Sequence, residues 1–265
     1  MSTRAEQYVA TVLRREPLSP HLVRLTLGGS GLAGFTSTGV PDEWVGLIVP
    51  GQFQSRYYTV RSWAPSTGSG QAAELTVDVV VHDHGLVTEW VSRDCVGETV
   101  TVTDPRGSFD PPAGAAWLIL VGDLTALPAM ARIAETSPLR PLRIWAEVSD
   151  DLGSYLPALE AVEVTWLDPP GPEQSALASV VEGLGWPDGP GYFWMAGESA
   201  QMRAIRRHLM RERRGTAYDV MGYWRAGAQR QPRAVDPGPI WRAGKAAGRT
   251  DEQIWADYDA ARESR

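Results

Sequence analysis

The sequence changes its character at residues 111–114, and this change constrains the fold more than any other feature. Upstream, short segments alternate apolar and polar residues, most regularly over residues 75–81. Downstream, Trp117–Val121 is a continuous apolar run, which is typical of a strand buried on both faces. The first pattern predicts an antiparallel β-barrel and the second predicts a parallel α/β sheet, so we expect two different domains in one chain.

The α/β half is predicted element by element. A helix is expected from Leu127, because apolar residues recur there at helical spacing, and a second helix is expected at Ser199–Arg213. Further strands are predicted at Arg143–Val148, Val162–Leu167, Tyr192–Ala196 and Tyr218–Tyr223.

Three regions follow from this pattern. Residues 1–112 are predicted to form the barrel and residues 113–227 the α/β domain. Residues 228–265 are predicted to begin as an extended loop, because Gly, Pro and Arg dominate up to Arg249. A short helix from Thr250 follows, and its apolar stripe of Ile254, Trp255, Tyr258 and Ala261 is expected to dock on the body.

Composition narrows the class of function. The net charge of −7 disfavours nucleic acid as a partner. No segment approaches the roughly 20 apolar residues that span a bilayer, and the N-terminus lacks the apolar core of a secretory signal. We therefore expect a cytoplasmic protein without membrane insertion. Cys95 stands alone, which excludes an internal disulfide, and we expect no metal site.

One familiar motif is rejected. Gly29–Gly34 matches the G-x-G-x-x-G pattern of dinucleotide-binding loops. That loop requires a helix that opens at the third glycine. Phe35–Pro41 follows instead and is not a helical sequence, so we interpret the segment as a turn between barrel strands.

Several other segments place ligand-binding chemistry at strand ends. Arg56–Arg61 sets arginine beside tyrosine on one strand, which suits a ligand with a diphosphate and a flat ring but equally suits an ordinary strand. Gly85 precedes a predicted helix, where backbone N–H groups form an anion cradle. Val121–Pro128 and Gly222–Gly227 lie where strands end, which is the ligand-binding edge of a parallel sheet.

Taken together, these segments resemble the siderophore-interacting protein family, the flavin-dependent ferric-siderophore reductases of the ferredoxin-reductase-like group. The resemblance extends from about residue 8 to residue 227. It rests on five patterns in order. They are R-x-Y-T-x-R at Arg56–Arg61, H-x-x-x-G-P-A-S-x-W at His82, Gly85 and Trp90 with one residue fewer between histidine and glycine, G-D-E-T-A-L-P-A at Gly122–Ala129, W-x-A-G-E at Trp194–Glu198, and G-Y-W-R-x-G at Gly222–Gly227. The resemblance implies an N-terminal FAD-binding barrel and a C-terminal nicotinamide-binding α/β domain.

The resemblance also implies roles for individual residues. Arg56 should pair with the FAD diphosphate, Tyr58 should pack on the isoalloxazine, and Thr59 should hydrogen-bond near its N5–O4 edge. The further residues implied for FAD are Tyr57, His82, His84, Gly85, Val87, Thr88, Asp123, Thr125, Ala126, Tyr223 and Trp224. Because the flavin carries the chemistry, no catalytic side chain is predicted.

The sequence departs from the family pattern at five positions, of which Val87 replaces an alanine and Thr88 keeps the hydroxyl of the family's serine. Leu86 replaces a proline in the cradle, and Leu124 replaces a carboxylate near the flavin pocket. Gly46 stands where the family often has a lysine that helps to hold anionic ferric siderophores. Arg61, Arg132 and Arg225 are then the candidate substrate-binding residues, or the substrate is a less anionic hydroxamate complex, which we favour.

The implied activity is reduction of Fe(III) to Fe(II) in siderophore complexes, which releases the iron. The electron donor is NADH, NADPH or ferredoxin. Asp150 and Asp151 follow the second α/β strand, where carboxylates would repel a 2′-phosphate, so NADH is somewhat favoured over NADPH. Two alternatives stay open: a general flavin or ferredoxin reductase, and a siderophore-binding module without enzymatic activity.

Overall fold

The computed structural model describes residues 6–52, 54–67, 72–82, 85–171, 174–226, 237–250 and 253–257. The N-terminal half is a closed six-stranded antiparallel barrel with the strand order β1-β2-β5-β4-β3-β6. Its elements are β1 (Gln7–Ser19), β2 (Leu22–Gly28), β3 (Trp44–Ile48), β4 (Arg56–Ala64), β5 (Glu74–Val80), α1 (Leu86–Val91) and β6 (Thr99–Thr103). The barrel closes because alternate residues of every strand enter one core, which includes Leu25, Leu75 and Val77.

The rejected glycine motif lies between β2 and β3. Ser30–Leu32 form one turn of 3₁₀ helix, and no α-helix follows. A Cβ at Gly31 would lie 2.1 Å from the carbonyl oxygen of Val9, so the strand β1 leaves room for glycine only. The interpretation as a turn between barrel strands is confirmed.

The C-terminal half is a five-stranded parallel sheet in the order β11-β10-β7-β8-β9. Its elements are β7 (Leu118–Asp123), α2 (Leu127–Thr136), β8 (Leu142–Glu147), β9 (Val162–Leu167), α3 (Leu177–Glu182), β10 (Tyr192–Glu198), α4 (Ser199–Glu212) and β11 (Ala217–Trp224). The sheet buries a separate apolar cluster on each face, which explains why β7 and β10 are apolar up to the acid that ends each strand. The predicted combination of barrel and parallel α/β sheet is confirmed, and we retain residue 112 as the proposed boundary between them.

The predicted extended loop is wrong for α5 (Pro237–Ala246). Proline fits the first turn of a helix because its missing N–H has no partner there, so the Pro-Gly-Pro sequence opens this helix instead of preventing it. Residues 253–257 form a further helical turn, in which Ile254 is buried and lies against Gly244 of α5. Tyr258 and Ala261, from the predicted stripe, lie outside the described residues.

Buried carboxylates join the two domains. Asp42 of the barrel accepts hydrogen bonds from the Ser108 hydroxyl (2.9 Å) and from Nε1 of Trp194 on β10 (3.2 Å). Glu43 is fully buried and pairs with Nη1 of Arg132 on α2 at 2.8 Å. These contacts fix the segment before β3 against β10 and α2 of the α/β domain.

Two further contacts extend the same interface. The Tyr155 hydroxyl, which follows β8, donates to Asp78 of β5. Arg24 binds the same carboxylate through two bonds of 2.8 Å and lies over the Tyr155 ring. Because the buried charge of Asp78 is met by three donors, this contact holds the domains without an unpaired ion.

Candidate functional site at the domain junction

The first wall of the site is the start of β4. Arg56 and Tyr57 are exposed, and Tyr57 is 68% accessible. Tyr58 packs against the barrel core, and burial raises its pKa. Thr59 is buried, because the α/β domain covers this part of the strand. β4 thus presents a cation and an aromatic side chain next to a hydroxyl that is shielded from water.

The second wall is the start of α1. Gly85 has φ of +131°, which glycine adopts without strain, and a Cβ there would meet no atom within 4 Å. The first helical hydrogen bond runs from Glu89 N to Gly85 O, so the amides of residues 86–88 precede it and have no partner within the helix. The Thr88 hydroxyl accepts a 3.2 Å bond from the amide of His82 and closes this turn. Val87 is buried beneath it, whereas His84 lies outside the described residues.

The third wall is the end of β7. Asp123 is 7% exposed and accepts hydrogen bonds from the amide (2.9 Å) and the hydroxyl (2.5 Å) of Thr125. Burial raises the pKa of this carboxyl, although those hydrogen bonds oppose the shift. A Cβ at Gly197 would lie 2.5 Å from Oδ2 of Asp123, and Gly197 has φ of +152°. The carboxylate therefore depends on glycine at this position, and Ala126 is buried beside it.

The fourth wall is the end of β11. Nε1 of Trp224 donates to Oδ2 of Asp123 at 2.6 Å, and the Trp224 ring lies 6.4 Å from the ring of His82. The Tyr223 hydroxyl is buried near Thr59 without a well-formed hydrogen bond, and burial raises its pKa. Barrel and sheet residues meet here, and the space between His82 and Thr59 of the barrel and Trp224 and Tyr223 of the sheet is the candidate cleft.

The three predicted substrate arginines differ in their surroundings. Arg61 binds Glu135 through bonds of 2.9 and 2.6 Å, and Arg132 binds Glu43 and the carbonyl of Val60. Both side chains are less than one-fifth exposed. We therefore assign both to the domain interface, because their charge is already met by protein carboxylates. Arg225 is exposed and stays a proposed substrate residue.

Gly46 lies in β3, where space is limited. A Cβ there would approach the Ser55 Cβ and the Thr103 Oγ1 to 2.9 Å each, and the Gly46 amide donates to that Thr103 oxygen. A lysine does not fit this backbone without rearrangement. Ser55 and Thr103 therefore pack against Gly46 in the space that a lysine side chain would need.

Sequence reasoning gave no role to four acids at this junction. Asp42 and Glu43 precede β3 and carried no motif that marks an interface. Glu198 is the last residue of the W-x-A-G-E pattern and Glu147 ends β8. Their places at the ends of predicted strands could have marked them as residues of the ligand-binding edge of the sheet. Asp150, which was expected to repel a 2′-phosphate, is occupied within the protein: its carboxylate accepts from Ser19 and His21 of the barrel and is 4% exposed.

The residues present fit FAD. Three amides at the start of α1 follow an open glycine and can hold a diphosphate, and the exposed Arg56 of β4 can add a charge-assisted contact to such a group. A partly buried tyrosine and a hydrogen-bonded tryptophan border the adjoining cleft and can pack on a flat ring system. Among the described residues, no helix is long and apolar enough to cross a membrane.

Comparison with known proteins gives the same assignment. A model of the siderophore-interacting FAD-binding domain matches residues 11–56 and 52–109, and a model of the siderophore-interacting protein matches residues 115–227. The crystal structure of a siderophore utilization protein from T. fusca is 30% identical, with a TM-score of 0.71 over 86% of this chain and 95% of that one.

Two curated relatives bear names of reductases. The NADPH-dependent ferric-chelate reductase of Escherichia coli is 27% identical over 82% of this chain and 92% of the relative. The ferric vibriobactin reductase ViuB of Vibrio cholerae is 27% identical over 86% of this chain and 93% of the relative. The predicted FAD-binding domain and oxidoreductase class are confirmed, and the chain belongs to the siderophore-interacting protein family.

Proposed function

We propose that this protein is a flavin-dependent ferric-siderophore reductase that releases iron by reducing Fe(III) to Fe(II). The observation that carries the proposal is the cleft at which β4 and α1 of the barrel meet the end of β11. In it the His82 and Trp224 rings lie 6.4 Å apart and Thr59 approaches Tyr223. The reductase names of the two relatives support the same activity.

When bound, FAD supplies the capacity to take up two electrons and pass them singly to Fe(III). The protein's own residues hold it. Arg56 pairs with the diphosphate, and the amides of residues 86–88 donate to the same group. Tyr58 packs on the ring system, and the buried Thr59 hydroxyl hydrogen-bonds its edge. The bond from Trp224 to Asp123 fixes the indole at the opposite side of the cleft.

The rest of the predicted cofactor set has supporting roles. Tyr57, Val87, Thr125, Ala126 and Tyr223 line or support the cleft. No side chain is needed as a general acid or base, because electron transfer to Fe(III) requires no proton transfer by the protein. Carboxylates and hydroxyls here position the flavin and exclude water from it.

A weakly charged chelate is the substrate that the charges favour. Arg61 and Arg132 are neutralised by Glu135 and Glu43, and no lysine stands at Gly46. Arg225 is exposed just past the end of β11, where it lines a cavity beside Glu198, and offers one cation there. We propose a ferric hydroxamate complex, since a highly anionic chelate would need more positive charge than these residues provide.

The donor is a nicotinamide dinucleotide or a ferredoxin, as the resemblance implies, and cytoplasmic action stays part of the proposal. The preference for NADH loses one support, because Asp150 is bound to the barrel. Asp151 is exposed and is now the only one of the two carboxylates that supports a preference for NADH over NADPH.

An anaerobic absorbance experiment tests the proposal. The flavin spectrum is recorded, NADH or NADPH is added, and a ferric hydroxamate with a ferrous trap follows. We expect loss of the flavin band and then trapped Fe(II). If NAD(P)H does not bleach the flavin but the chemically reduced protein yields Fe(II), the reductase function holds and the electron donor is another molecule. Reduced flavin that leaves ferric chelates untouched would refute the function, and so would a protein that takes up no FAD.

A further inference from the structure

The solvent face of α4 carries a row of arginines. Arg203, Arg207 and Arg211 are all exposed and follow one another at four-residue spacing. Side chains at this spacing lie on the same face of a helix, so the three guanidinium groups form a line about 12 Å long. Glu212, the only acid of α4, lies on the opposite side of the helix from Arg203. We call Arg203, Arg207 and Arg211 the arginine row.

The charge of the row is not balanced within the protein. No carboxylate among the described residues forms an ion pair with it. Exposed arginines of the barrel do have such partners, since Arg14 pairs with Glu74 and Arg93 pairs with Glu98. The chain has a net charge of −7, so acids are not scarce. The row is therefore a local concentration of positive charge on an acidic protein.

The packing of α4 does not need the row. The helix is held to the sheet by its other face, where Met202, Ile205 and Leu209 are buried. Like charges four residues apart destabilise a helix, because they repel each other on the same face. The row thus opposes the stability of α4 and contributes nothing to its core, so its value has to come from contact with another molecule.

The row begins beside the candidate cleft. Glu198 is the register partner of Trp224, whose indole borders the cleft, and α4 begins at the next residue, Ser199. Arg203 also lines a cavity of about 480 Å³ together with Arg225. A molecule that binds along the row is therefore held next to the place at which FAD is proposed to bind.

An acidic protein fits the row better than a bilayer does. Guanidinium groups bind carboxylates through two parallel hydrogen bonds, and a line of them on a rigid helix suits a surface that carries several acids. Among the residues of α4, all of which the structure describes, Met210 is the only large apolar side chain that is exposed. Helices that lie on membranes bury a whole apolar face in the lipid, and α4 has no such face to offer.

We propose that the arginine row is the docking surface for a small acidic electron-carrier protein, a ferredoxin, that delivers electrons to the flavin. The inference rests on the proposed function, because it concerns one of the donors of that flavin, and it leaves the binding of a nicotinamide dinucleotide unaffected. Two reduced [2Fe–2S] ferredoxins each give up one electron and leave oxidised, and the FAD takes up both electrons with two protons from water.

The test uses a plant-type [2Fe–2S] ferredoxin as the probe and the full FAD-loaded chain. Its Kd is measured by calorimetry at about 20 mM and about 300 mM salt, because screening removes most of a surface charge contact at the higher value. The variant is Arg207→Gln/Arg211→Gln, which leaves the cavity residue Arg203 in place. We expect about fivefold weaker binding at low salt, and about fivefold slower flavin reduction by the reduced probe in stopped-flow absorbance.

Arg14→Gln/Arg93→Gln is the matched control, because it removes the same net charge from the barrel. Its Kd should stay within twofold of wild type. The row variant should keep the wild-type FAD content and melt no lower than wild type, since it removes a repulsion within α4. A lower melting temperature would show that the arginines have a structural role and would overturn the inference.

Three other results would overturn it. They are a wild-type Kd that does not respond to salt, a row variant within twofold of wild type, and an equal loss in the control. Retention of the protein by phosphatidylglycerol vesicles, lost in the row variant and without ferredoxin binding, would assign the row to a membrane surface instead. The proposed function is judged separately: trapped Fe(II) after chemical reduction supports it even if no ferredoxin binds, and ferredoxin that binds through the row supports the docking surface even if no Fe(II) is formed.

Discussion

Replacing Glu43 with Gln should destabilise the protein by about 3 kcal/mol. Glu43 is fully buried and accepts from the Ser37 hydroxyl (2.5 Å), the Thr38 amide (2.7 Å) and hydroxyl (2.6 Å), and Nη1 of Arg132 (2.8 Å). Breaking a buried ion pair from one side costs about 3–5 kcal/mol, because the remaining charge stays buried without its partner. Glutamine keeps the volume and one acceptor oxygen, so the lower end of that range applies.

Urea unfolding followed by tryptophan fluorescence, with all proteins in the same excess of FAD, measures the loss. With an m-value of about 3 kcal/mol/M, the unfolding midpoint should fall by about 1 M. Glu135→Gln is the matched control, because Glu135 also pairs with an arginine but is 36% exposed, whereas Glu43 is fully buried. That variant should lose less than about 1 kcal/mol.

The effect of Glu43→Gln should also depend on pH. Burial alone would raise the pKa of Glu43, but hydrogen bonds from Ser37 and Thr38 and the charge of Arg132 outweigh it, so the pKa is lowered on folding. The carboxylate's contribution is therefore complete above its unfolded pKa of about 4.3 and is lost as the pH falls through the folded pKa. The difference between wild type and variant should shrink on acidification. A loss below about 0.5 kcal/mol at pH 7, or a difference that grows in acid, would refute the reasoning.

Three other substitutions test separate parts of the cleft. Arg56→Ala should weaken FAD binding by about tenfold or more through loss of a charge-assisted contact, measured as flavin retained on gel filtration, whereas Arg93→Ala should retain wild-type flavin content. Gly197→Ala should lower the unfolding free energy by at least about 1–3 kcal/mol, since its Cβ collides with Asp123 at 2.5 Å and φ is +152°. Gly46→Lys should destabilise by a similar amount, and an unchanged melting temperature would contradict the packing described there.

Much of the fold could be predicted because the two halves have different hydrophobic periods. The run at Trp117–Val121 and the strand predicted at Val162–Leu167 lie where the structure has β7 and β9, the second with identical bounds. The helix α5 was missed because Pro237 and Gly238 were taken as loop residues, although proline is favoured in the first turn of a helix. The preference of proline and glycine for loops was misleading there, because a proline in the first turn of a helix is favourable whereas one in the interior is not.

The site was predictable where residues adjacent in sequence stay adjacent in space, as in Arg56–Thr59. It was not predictable where partners come from distant segments. Nothing in the sequence indicates that Glu43 pairs with Arg132, or that Arg61 binds Glu135, because these contacts exist only once the barrel rests on α2. For this reason two arginines that looked available to a substrate are bound within the protein.

The ionic contacts between the domains also bear on how selective the protein is. With Asp42, Glu43 and Asp78 buried in hydrogen bonds across the interface, the two sides of the cleft are held at a fixed separation and are not free to close around a guest. A cleft that does not close leaves the far side of a bound chelate in solvent, and electron transfer requires only that the metal come close to the flavin. We therefore expect the protein to tolerate variation on the solvent side of a chelate and to rank chelates by charge and by the ease with which their iron is reduced.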